Sequence, residues 1–112
     1  MILYNVTVSV EDGVADEWLE WMRAHHLPEV MATGYFVSHR LSRMIQPAPE
    51  PGTTTFAVQY YCTSQEKLTH YLERCAPRLR EEHNRRYGHR AQAFRTVLEI
   101  LHPDTEDGGA VN

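Results

Sequence analysis

Two adjacent histidines, His25 and His26, followed by Leu27 and Pro28, are the residues of this chain best suited to proton transfer near neutral pH. At about 100° per residue on a helix, His25 falls near the middle of the stripe made by Val14, Trp18 and Trp21, and His26 falls toward its edge beside Leu19. His25 is therefore expected to point inward unless the kink expected near Pro28 rotates it. Pro28 has no amide hydrogen, so the carbonyl of Ala24 loses its usual partner, and an inward imidazole can serve simply by donating to it. The alternative is catalytic, with His25 or His26 as the proton-transfer group. No metal site is expected: neighbouring histidines diverge, Glu29 is the nearest carboxylate at helical spacing, and neither HExxH nor CxxC occurs.

Aromatic residues form the second set. Tyr4, Trp18, Trp21, Phe36, Tyr60 and Phe94 are expected to converge between helices and sheet, where aromatics usually fill a core. Read functionally, they wall a flat pocket in which Trp21 is a binding surface and the hydroxyls of Tyr4 and Tyr60 are the polar contacts. Arg95 and Glu99 are assigned to the opposite, outer sheet face with Asn5, Thr7, Ser9, Gln59, Tyr61 and Val97, as register-setting interface groups or as the lining of a polar ligand chamber. Six arginines from Arg74 to Arg90 are interleaved with Glu73, Glu81 and Glu82, which reads as a solvated, ion-paired helix face. Ser9, Ser38, Ser42 and Ser64 stand in no nucleophile motif, and no Gly-rich phosphate loop or other cofactor fingerprint occurs, so no cofactor is expected. Cys62 and Cys75 lack metal-type spacing and read as packing thiols.

These residues must be held by a small set of elements. Ile2 to Val10 alternates as a half-buried strand, and Asp12-Gly13 turns the chain into a helix running to about Thr33 and closed by Gly34. Tyr35 to Ile45 and Phe56 to Cys62 read as strands two and three, joined by the proline-rich tip Gln46 to Gly52. Thr63 with Glu66 suggests a capping box for a second helix with Leu68, Tyr71, Leu72, Cys75 and Leu79 inward, interrupted at Pro77 and ended by Gly88. Ala91 to Leu101 is the last strand, with Phe94, Leu98 and Ile100 on one side and Arg95 and Glu99 on the other. The order is βαββαβ, an α+β ferredoxin-like domain over residues 1–101 with a four-stranded antiparallel sheet, strands one and three central, and a Gly- and acid-containing flexible tail at 102–112. Pairing two outer faces would make a homodimeric α/β barrel.

Charge excludes more than it suggests. The chain has 112 residues and a formal charge of −4; Asp104, Glu106 and Asp107 hold three of its fifteen acidic residues, leaving twelve against all eleven basic ones. A nearly neutral body with no unopposed basic patch does not read as a nucleic-acid binder. No apolar run approaches the ~18 residues of a membrane span, and the opening MILYN lacks the regions of a signal peptide, so a cytoplasmic protein without membrane partners is expected.

The segments MILYNVTVSV, WLEWMRAHHLPEVMATGYF, FAVQYY, YLERCAPRLREEHNRRYG and AFRTVLEIL together resemble a small bacterial family known as a domain of unknown function, over Met1 to about Leu101. That resemblance implies a ferredoxin-like domain and brings no catalytic residues with it. His26-Leu27-Pro28 is also similar, locally, to dimeric α/β-barrel proteins of the ethyl tert-butyl ether degradation and antibiotic-biosynthesis monooxygenase type, several of which carry a His, an apolar residue and Pro near the end of the first helix.

The functional expectation is a non-catalytic ligand-binding or regulatory homodimer that takes a small molecule. Two other classes stay open: a cofactor-independent monooxygenase or isomerase using a first-helix histidine as base, and a purely structural interaction module. Fold analogy alone separates none of them.

Overall fold

The computed structural model describes residues 1–102; the tail expected at 102–112 lies, apart from His102, outside them. Four strands, β1 (Ile2–Glu11), β2 (Ser38–Arg43), β3 (Thr53–Cys62) and β4 (Ala91–Glu99), form one antiparallel sheet in the order β2-β3-β1-β4. This is the expected α+β ferredoxin-like arrangement, with β1 and β3 central. Alternation dictates which side is dry: Tyr4, Val8 and Val10 of β1 and Phe56, Val58 and Tyr60 of β3 are all buried beneath the helices.

The first helical segment is α1 (Asp12–Trp21), a single π turn (Met22–His26) and α2 (Leu27–Ala32). The junction with β1 is clasped by the Asp12 amide donating to the Gly52 carbonyl at 3.0 Å and the Thr54 hydroxyl donating to the Asp12 carboxylate at 2.8 Å. Gly34, at φ +81°, closes the segment in a conformation that disfavours a side chain. The second layer is α3 (Gln65–Arg74) and α4 (Ala76–Tyr87), broken at Cys75 just before Pro77. The cap of α3 is Ser64, whose hydroxyl accepts from the Lys67 amide, rather than Thr63.

Strand boundaries differ in places from the expected ones, with β2 ending at Arg43 and β4 at Glu99. Strand two begins at Ser38 instead of Tyr35, because Tyr35 and Phe36 turn their rings onto Tyr71, at 6.2 and 4.7 Å, before pairing starts. Strand three starts three residues early, at Thr53.

The larger correction concerns β4. Its register sets Phe94 opposite Thr7, Arg95 opposite Val6, Val97 opposite Tyr4 and Glu99 opposite Ile2. Directly paired residues share a face, so Arg95, Val97 and Glu99 lie on the helix side, whereas Phe94 and Leu98 lie on the outer face and are 62% and 48% exposed. Phe94 is thus no member of the aromatic core. As an edge strand with its C-terminal half uncovered by helix, β4 has no dry face for its hydrophobic pattern to report.

Candidate functional site

Pairing of the two central strands sets Tyr4 directly beside Tyr60, with ring centroids 6.0 Å apart. Arg95 approaches the same space from β4 beside Val6, and Tyr71 from α3, its ring 6.3 Å from Tyr4. From α4 come Arg80 and His83: an Arg80 guanidinium nitrogen donates to the Tyr4 hydroxyl at 3.0 Å, and the Trp18 indole Nε1–H donates to His83 Nε2 at 2.9 Å. Trp18 is fully buried against Phe56, ring to ring at 4.7 Å, so this donor is fixed by the core.

The π turn delivers the last wall. The Leu27 amide donates to the Met22 carbonyl, five residues back, which inserts one extra residue into the helix where Pro28 cannot donate. The buried stripe of Trp18, Trp21 and Met22 resumes one position late, at Leu27 and Val30. Consequently His26 lines the chamber while His25, expected inward, is exposed. This phase shift overturns the assignment of the two imidazoles that a regular helix predicts.

These groups enclose a chamber of about 50 Å³ between helices and sheet. Arg80, His83, Ala93 and Arg95 also wall an outer cleft of about 320 Å³ between α4 and β4, so the two spaces adjoin. No aspartate or glutamate lines either space. Among the described residues, neither Arg80 nor Arg95 is in an ion pair, and Arg95 makes no side-chain hydrogen bond. The arginines that are paired lie elsewhere: Arg78 with Glu29, Arg85 with Glu81 and Arg86 with Glu17.

Burial sets the protonation states. Loss of water, then His83 and Arg95, pushes His26 down to about 4, and burial followed by Arg95 lowers His83 as well. Burial also raises the phenols of Tyr60 and Tyr71. At neutral pH the chamber therefore holds neutral imidazoles, protonated phenols and two guanidinium charges, an arrangement able to receive negative charge.

Of the residues singled out in the sequence, Tyr4, Tyr60, His26 and Arg95 come together. Trp21 stands behind His26, with rings 5.2 Å apart, and does not line the chamber. Glu99 and His25 also stand apart from it. Sequence reasoning missed Tyr71, Arg80 and His83 as site residues. The four-residue series Tyr71, Cys75, Leu79, His83, Tyr87 carried a signal for His83; Arg80 carried none. Among the described residues no group of three or more His, Cys, Asp or Glu side chains is arranged to hold a metal, and no helix is long and apolar enough to cross a membrane.

A family model described as Domain of unknown function (DUF4286) matches residues 1–101, and the chain belongs to that family. No curated protein matches it. Solved structures show the fold. HapK from Hahella chejuensis has a TM-score of 0.69 at 12% identity, with 94% of this chain and 97% of that one covered. A variant of MhuD with two manganese protoporphyrin IX bound per active site has a TM-score of 0.68 at 19% identity, covering 94% and 99%. An ethyl tert-butyl ether degradation family protein from Bacillus halodurans has a TM-score of 0.65 at 12% identity, covering 90% and 100%.

Proposed function

We propose that this protein is a small-molecule binding protein that works without chemistry of its own, holding its ligand in the chamber between α4 and the sheet. The observation that carries this reading is the pair of guanidinium groups, Arg80 and Arg95, without carboxylate partners in a chamber lined also by phenols and neutral imidazoles. The imidazoles argue for binding over base catalysis. A general base works best with a pKa near the operating pH, whereas His26 sits at about 4 and the Nε2 lone pair of His83 is occupied by Trp18. The monooxygenase or isomerase reading keeps one point in its favour, that His26 faces the chamber.

We also propose that the outer sheet face pairs with a second copy of the chain. Leu98 stands there beside the half-buried Leu3 and Tyr61, Phe94 is exposed on the same face beside Thr7, and the Asn5 side-chain oxygen between them is enclosed without a hydrogen-bond partner among the described residues. Native mass spectrometry of the protein purified from its own cells tests both parts. A dimer retaining a bound small molecule, which dissociates from an Arg95→Gln variant, is expected; a ligand-free protein whose melting temperature no compound in a broad metabolite screen raises would overturn the binding reading.

A further inference from the structure

We infer that the ligand is a carboxylic acid whose carboxylate enters the chamber between Arg80 and Arg95 while the rest of the molecule lies in the cleft between α4 and β4; this rests on the binding function proposed above. Size divides the ligand. By the measure in which one water needs about 10–15 Å³, a chamber of about 50 Å³ admits a group of a few heavy atoms and excludes a ring, whereas the adjoining cleft of about 320 Å³ accommodates a ring or a short chain.

Shape and donors then select the group. The inner end is lined by the rings of Tyr4, Tyr60 and Tyr71, with Tyr4 lying 28° from the plane of Tyr60. Arg80 spends one donor on the Tyr4 hydroxyl and Arg95 spends none on the described residues, so two forked, planar cations remain free to meet a planar anion. A phosphate is the competing anion. Phosphate sites are commonly built from backbone amides at a helix N-terminus or a glycine loop, but here Arg80 and His83 come from within α4 and Arg95 from the middle of β4. Beyond Arg80, His83 and Arg95, the cleft's walls are Gly88, Ala91 and Ala93 beside Asn84 and Gln92, which add no further charge and suit an uncharged remainder.

The test is titration of the full chain with phenylacetate, phenylacetamide and phenyl phosphate, followed by two-dimensional NMR at the Trp18 indole Nε1–H, which borders the chamber through His83. Phenylacetate is expected to shift that resonance saturably and to bind at least tenfold more tightly than phenylacetamide. Arg95→Gln, on an exposed edge strand where folding tolerates it, is expected to remove most of that difference, and Arg80→Gln to weaken the acid likewise. Equal binding of acid and amide, or tighter binding of phenyl phosphate, would overturn the carboxylate assignment and leave the binding site standing. If no probe moves the Trp18 resonance, the carboxylate assignment and the site fall together.

Discussion

The Trp18 indole donates its Nε1–H to Nε2 of His83 across the α1–α4 interface at 2.9 Å. An imidazole nitrogen that accepts this bond carries no hydrogen, so His83, which burial keeps neutral, holds its proton on Nδ1. Nitrogen-15 NMR of the histidine rings should show that tautomer, and Trp18→Phe should abolish the preference while costing about 1–3 kcal/mol through the lost bond and the space left behind. A protonated Nε2 in the unaltered protein would contradict the assignment.

Acid should loosen the fold through His26. Its folded pKa of about 4 lies below the ordinary 6.5, so between those values the unfolded chain binds more protons. The stabilisation is complete above pH 6.5 and is lost as pH falls toward 4, by up to about 3 kcal/mol; His83 acts in the same direction. Urea unfolding at pH 7.5 and 4.5 should show a smaller acid loss in His26→Gln than in the parent, and an identical loss in both would count against a buried neutral imidazole.

The extra residue of the π turn should be removable. Deleting exposed Ala24 brings Leu27 and Val30 one position nearer to Trp18, where a regular helix would seat them inward, and keeps His26 at the chamber. The shortened protein is expected to unfold cooperatively, within about 1–2 kcal/mol of the parent, with continuous α-helical carbon shifts from α1 into α2. Loss of cooperative unfolding would mean that the bulge itself is required.

Phe94 offers a direct handle on self-association. Because its ring is 62% exposed in the single chain, Phe94→Glu should leave secondary structure and melting of the monomer nearly unchanged while light scattering falls from twice the chain mass to once. A parent protein that scatters as a monomer at every concentration would end the dimer proposal.

Most of the fold was legible because β1, β3 and the two helical stretches each bury one face, and a buried face writes its period into the residue types. Two failures share a cause. At β4 neither face is fully buried, so alternation of Phe94, Leu98 and Arg95, Glu99 is compatible with either orientation, and only pairing with β1 decides. At the π turn the period was right on each side, but the register slipped by one residue between Met22 and Leu27, and Pro28 indicated a disturbance without indicating its size. The site inherited both errors: Arg95 was recognised as informative on the wrong face, and His25 took the place that His26 occupies. Arg80 and His83 stayed hidden because a partly exposed helix face rich in arginine looks the same whether it serves solvent or a ligand.

The chamber adjoins a cleft between α4 and an edge strand, and this governs traffic. Under the proposed binding function, the boundary between cleft and chamber is made by side chains, those of Arg80, His83, Ala93 and Arg95, so entry would break no ladder bond. Partly exposed rotamers of that kind rearrange in picoseconds to nanoseconds, far faster than diffusional arrival at micromolar ligand. Residence time would then be governed by the strength of the ligand's contacts, those with the guanidinium groups foremost, as in a reservoir filled and emptied by concentration.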